Sequence, residues 1–202
     1  MCCQNLVTNA YCLHMDADFF ILLQKGYRVA SDARKQAIGV ALKAQALAKR
    51  AIFAMHREDV VEAERLLGEC RGMMMGLVRE KELRYEGSVV AMVEEYLEAE
   101  MYVGYVKTGE FVVPEGFAED AEAVIGAICD VTGELQRRQV MLAVAGDAQG
   151  VRKITGVIRD MVAQLMAMDL EGVLRTKGDQ AKHSLRRAED VEYDMVVKSR
   201  RE

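Results

Sequence analysis

The residues of this chain best placed to do chemistry are carboxylates at helical spacing. Glu94, Glu95 and Glu98 fall in EEYLEAEMY, and Asp130 and Glu134 fall in CDVTGELQRR. Residues three or four apart share one face of a helix, so each stretch presents a pair of acids on one side. Glu95 and Glu98 with Asp130 and Glu134 then make a group of four. Two carboxylates about 5 Å apart repel by roughly 3 kcal/mol at an effective dielectric of 20. A partly buried group of four therefore needs a cation or protons to neutralise it. With oxygen ligands only, and no His or Cys in the pattern, the fitting ion is Mg²⁺ or Mn²⁺. The plain alternative is four surface carboxylates on an acidic chain.

The elements that must position these acids read as helices. The spacing predicts helices over about 31–55, 59–83, 89–108, 118–145, 151–168 and 177–198, six or seven in all, with the longest loop at Gly109–Gly116 around Pro114. Asp59 with Glu62 resembles a capping box, Gly87 followed by Ser88 a stop and a new N-cap, and Gly146-Asp147 a break and recap. The helix from 89 has an apolar stripe of Val90, Val93, Leu97, Met101 and Gly104, with Glu95, Glu98 and Tyr102 together off that stripe. Glu94 lies nearer the stripe. In the next helix Val124, Ile128, Val131, Leu135 and Leu142 read as core. The face carrying Asp130 and Glu134 is paved by Ala123, Gly126 and Ala127, which predicts a helix packed closely there.

Composition agrees with an all-α class. One Pro in 202 residues, 13 Met and no Trp leave a core of Leu, Val, Ile, Met and Ala. The length suits a single domain, with residues 1–15 an extension lacking any clear period and 16–202 one all-α domain. The five cysteines, Cys2, Cys3, Cys12, Cys70 and Cys129, are odd in number and lack metal-ligand spacing. A reducing compartment follows, and with no apolar run of membrane-spanning length and no basic start before Phe19–Leu23, a cytoplasmic location. His14, His56 and His183 have neither metal-ligand nor triad spacing and read as structural or surface groups.

Charge is unevenly distributed. Between Lys25 and Arg57 stand eight Lys/Arg and one acid, Asp32, so this segment carries +7 in a chain of net −5. On an unbroken helix Arg28, Lys35, Lys43, Arg50 and Arg57 fall within a sector of about 80°, about 40 Å long. That suits a nucleic-acid backbone, contacted mainly through phosphates because aromatics are scarce beside it. A solvated face balanced by acids of a neighbouring helix is the bland alternative.

KRAIFAMHR (49–57), EYLEA (95–99), CDVTGELQRR (129–138), GDAQGV (146–151) and LRTKGDQAKHSLRRAEDVEYDMVVKSR (174–200) follow one another as they do in the translin family. The resemblance is closer to the catalytic branch, translin-associated factor X, than to translin, and covers about 28–200. It implies a translin-like helical bundle in a hollow homo-oligomer, often an octamer, that binds single-stranded RNA or single-stranded DNA inside. A paralogous translin subunit is a further partner it implies. The catalytic branch is a divalent-metal-dependent endoribonuclease. Its acidic residues fall on Glu95, Glu98, Asp130 and Glu134, the group already assembled by spacing. A bound ion there would lower the pKa of a water for attack on a phosphodiester. Arg137 or Arg138 would hold the phosphate, although Arg138 at i+4 also suits an ion pair with Glu134. Two other functions stay open: a non-catalytic binder of the translin type, and an all-α nucleotide pyrophosphohydrolase, suggested by E-E-x-x-E at Glu94, Glu95 and Glu98 but poorly matched by the later D-x-x-x-E.

Overall fold

A computed structural model describes residues 17–78, 83, 86–117 and 120–199, with side chains to 197. The extension at 1–15, with Cys2, Cys3, Cys12 and His14, lies outside them. The described residues form six helices: α1 (Ala17–His56), α2 (Val60–Val78), α3 (Gly87–Thr108), α4 (Ala121–Val144), α5 (Ala148–Ala167) and α6 (Gly172–Ser199). None of these helices is long and apolar enough to cross a membrane. The all-α expectation holds.

Internal contacts divide the chain into residues 1–36 and 37–202. In the first unit the described part is the leading half of α1, with Phe20, Ile21, Leu22, Leu23, Tyr27 and Val29 all exposed. The spacing had begun this helix at Ser31, and it begins at Ala17. The stretch 17–30 buries no stripe, so it carries no amphipathic period to detect, and Gly26 costs too little to end a helix.

The second unit is built on an alanine seam and one fully enclosed helix. Ala37, Ala41, Ala44, Ala48 and Ala51 are buried along α1 at alternating four- and three-residue steps. Their small side chains let α2 approach until the Cys70 thiol donates to the Ala44 carbonyl at 3.2 Å. α3 is buried nearly all round, with Val89, Met92, Val93, Tyr96, Leu97, Ala99, Met101, Tyr102 and Val103 inside. A helix apolar on every side is an interior one, which explains why the single stripe read from sequence was incomplete. Val90, placed on that stripe, is 43% exposed.

α4 packs against α3, α5 and α6. Its core is Ala123, Ala127, Cys129, Val131 and Leu135, while Val124, Ile128 and Leu142 sit at its partly buried edge. Gln139 pins the three later helices together. Its buried amide donates to the Thr155 hydroxyl at 2.7 Å and to the Ala188 carbonyl at 2.9 Å. The caps follow the local rules: Asp59 accepts from the Glu62 amide at 3.1 Å and Asp147 from the Gly150 amide at 2.8 Å. α3 has Glu86 rather than Ser88 at its N-cap and closes on Gly109, whose φ of 81° lets its amide reach the Tyr105 carbonyl.

Candidate carboxylate site

Two of the helices bring the acids together, and α6 adds a cation. α3 supplies Glu94, Glu95 and Glu98, one turn apart, and α4 supplies Asp130 and Glu134, also one turn apart. Close approach of the two helices depends on Gly126. A Cβ there would stand 1.6 Å from Glu94 Oε1 and 2.7 Å from Glu94 Cδ, so any side chain would drive the Glu94 carboxylate out of its place. The paving of small residues expected on this face is thus occupied by Glu94.

Glu98 is the centre of the group. It is only 8% exposed, and its carboxyl is pushed up to about 9, first by burial and then by the negative charges of Glu95, Asp130 and Glu134. Among the described residues no cation is paired with it. Glu95 is also raised by burial, against the opposing pull of Lys49, whose Nζ lies 3.2 Å from Glu95 Oε2. Glu94 is raised by burial and lowered by Lys177, which stands 3.1 Å from its Oε1. The same ammonium hydrogen-bonds Asp130 Oδ2. Burial pulls Lys177 down, but Asp130 and Glu94 outweigh it and the net shift is upward.

The fourth acid has a different partner from the one expected. Glu134 Oε2 lies 2.5 Å from His56 Nε2, and no ion pair joins Glu134 to Arg138 among the described residues. The Arg138 guanidinium stands instead beside the Tyr102 hydroxyl, which burial pushes up to about 12 against the pull of Arg138. His56 is buried, and its Nδ1 is 3.0 Å from the Tyr102 hydroxyl. Lys177 and His56 were missed as site residues because their partners are 47 and 78 positions away in sequence. No local spacing rule reaches that far.

Of the basic residues, Arg28 and Lys35 belong to the first unit and are exposed, Lys35 pairing with Asp32 at 3.4 Å. Lys43, Arg50 and Arg57 belong to the second and are exposed as well. Arg50 lies 3.8 Å from Glu62 of α2, the balancing acid that the solvated-face reading requires, while Lys43 has no ion pair among the described residues. Arg137 holds its guanidinium 4.8 Å from the centre of the Phe53 ring on α1.

The donor set fits a hard divalent cation in chemistry: all-oxygen ligands, like charges crowded around a buried acid, and Cys129, the thiol next to Asp130, itself buried and raised to about 11. In the arrangement described, Lys49 and Lys177 already balance Glu95 and Asp130, while His56 is hydrogen-bonded to Glu134. No three His, Cys, Asp or Glu side chains among the described residues stand at metal-ligand spacing. Taking up an ion therefore requires Glu95 and Asp130 to turn away from the two lysines.

No curated protein matches the chain in sequence. The fold is similar to that of "Crystal structure of apo-NeC3PO", with a TM-score of 0.82 at 19% identity over 90% of this chain and 99% of that one. It is similar also to "Structure of AfC3PO - duplex RNA complex", with a TM-score of 0.78 at 21% identity over 91% and 99%. Residues 32–199 match the model of the translin family, and the chain belongs to that family.

Proposed function

We propose that the chain is a subunit of a metal-dependent endoribonuclease of the catalytic translin branch, cutting single-stranded RNA inside an oligomeric shell. One observation supports this above the rest: a buried acid, Glu98, faces three other carboxylates with no cation paired to it among the described residues. Such crowding is costly to a fold and belongs to sites that use it. Glu95, Glu98, Asp130 and Glu134 would hold Mg²⁺ or Mn²⁺. When bound, such an ion supplies a water of lowered pKa and offsets charge on the phosphate. The chain's own part is to hold four oxygen donors on two rigid helices, with Gly126 permitting their approach. Arg137 and the basic residues of α1 would bind the RNA backbone. A neighbour of the same fold is described with duplex RNA, in keeping with a nucleic-acid ligand here. Assembly as a homo-oligomer, an octamer or with a paralogous translin subunit, and binding of single-stranded DNA, are parts of the same reading.

The second reading, a non-catalytic RNA or DNA binder, is favoured by the two lysines that already balance Glu95 and Asp130. The two separate on a labelled single-stranded RNA. Internal cleavage in Mg²⁺ or Mn²⁺ that stops in EDTA is the expected result, and intact RNA that stays bound in every condition would leave the binding shell. Pyrophosphate released from a free nucleotide would instead support the pyrophosphohydrolase.

The basic face has its own test. Lys43→Glu with Arg50→Glu is expected to weaken RNA binding at least tenfold in 0.1 M salt and to flatten its dependence on salt, since each phosphate contact contributes a slope of roughly 0.9 or less. Fluorescence anisotropy against salt measures both. Binding and slope equal to those of the natural chain would remove this face from the RNA path.

A further inference from the structure

Tyr102, His56 and Glu134 form a chain of hydrogen bonds that crosses from α3 through the end of α1 to α4. His56 is the last residue of α1 and 4% exposed. Its ring lies against that of Tyr102, centroids 4.9 Å apart and tilted by 38°. A carboxylate only accepts, so the ring nitrogen facing Glu134, Nε2, carries the hydrogen. In a neutral imidazole Nδ1 is then the acceptor, and the Tyr102 hydroxyl donates to it. With the Arg138 guanidinium beside that hydroxyl, the polarity runs one way, from cation to carboxylate.

We infer that His56 is a positioning residue for the candidate cation site: held by Tyr102, it fixes one oxygen of Glu134 and leaves the other to face the acid group. The inference rests on the proposed cation site. A buried histidine with only a packing role needs partners for both ring nitrogens, but any hydroxyl, carbonyl or water serves. Here both ring nitrogens are committed, one to a fully buried hydroxyl and the other to a half-buried acid of the group. Glu134 Oε2 is the oxygen engaged, and Oε1 has no hydrogen-bond partner among the described residues. This is the arrangement by which groups behind a ligand orient it, and removing such partners lowers metal affinity by about 10–100-fold.

The geometry allows two substitutions of similar bulk to be set against each other. In His56→Gln the side-chain amide nitrogen stands near the place of Nε2 and keeps the donor to Glu134. In His56→Asn it stands near the place of Nδ1 and cannot reach. Mn²⁺ binding to the RNA-free, EDTA-stripped protein, measured by isothermal titration calorimetry at one pH, is expected to weaken about tenfold or more in His56→Asn and to stay within about threefold of the natural chain in His56→Gln. Tyr102→Phe, which keeps the ring and deletes the hydroxyl, gives a smaller loss in the same direction and serves if the histidine variants do not fold. Equal Mn²⁺ affinity in the natural chain, His56→Asn and Tyr102→Phe would overturn the positioning role while leaving the site. Equal losses in His56→Asn and His56→Gln would overturn it too, because the retained donor would have done nothing. A natural chain that binds no Mn²⁺ would overturn the cation site itself.

Discussion

Glu98→Gln is expected to abolish RNA cleavage and, without divalent ions, to make the protein more stable at pH 8. Both effects come from one cause. In the fold the Glu98 carboxyl is pushed from 4.5 up to about 9 by burial and by Glu95, Asp130 and Glu134. A folded-state value above the unfolded one means the fold holds that proton more tightly than the unfolded chain does. The group then costs nothing below about pH 4.5 and costs progressively more as the pH rises toward 9. The cost grows by up to about 1.4 kcal/mol for each pH unit above 4.5, so by pH 8 it amounts to several kcal/mol. Glutamine is neutral at every pH and escapes the cost. Urea unfolding of both chains at pH 5 and pH 8 measures it: the stability gap should open with pH and close in the natural chain when Mg²⁺ is added. A gap independent of pH would show that Glu98 is not held in a crowded, buried group.

Lys177→Met is expected to lower the stability of the metal-free protein and to raise its response to Mg²⁺. The methionine keeps an apolar stem of similar length but removes the ammonium shared by Glu94 and Asp130. Breaking a fully buried pair costs about 3–5 kcal/mol, and this partly exposed one about 2 kcal/mol. The same change removes the cation that an incoming Mg²⁺ would displace from Asp130. The rise in melting temperature on adding Mg²⁺ should therefore be several degrees larger than in the natural chain, at about 2–4 °C per kcal/mol for a chain of this size. An equal rise in both proteins would mean that Lys177 and the ion do not share a site.

These two residues also mark what local spacing can and cannot reveal. Glu95 with Glu98 and Asp130 with Glu134 were legible because a pair within one turn of a helix is fixed by the helix itself. The small residues at Ala123, Gly126 and Ala127 announced a close neighbour, and Gly126 is where that neighbour, Glu94, comes nearest. The identity of the neighbour was not legible. Glu94 had been set nearer the apolar stripe, because α3 is enclosed on all sides and a single stripe does not describe it. Lys177 and His56 were invisible for another reason: they meet their acids only through the packing of α6 and α1 on the rest. The start of α1 was misplaced because Ala17–Ala30 has no buried side to give it a period. Family membership, by contrast, rested on an ordered set of short motifs across most of the chain, and the match over 32–199 supports it.

The central claim is that the four carboxylates are where RNA is cut. The most direct measurement is cleavage of a labelled single-stranded RNA by the natural chain, Glu98→Ala and Asp130→Ala, each in Mg²⁺, Mn²⁺ and EDTA, with RNA binding and melting temperature followed alongside. The account predicts metal-dependent cutting by the natural chain only, with folding and RNA binding kept in all three proteins. Cutting at the natural rate by either variant, or RNA bound but never cut by the natural chain, would contradict it.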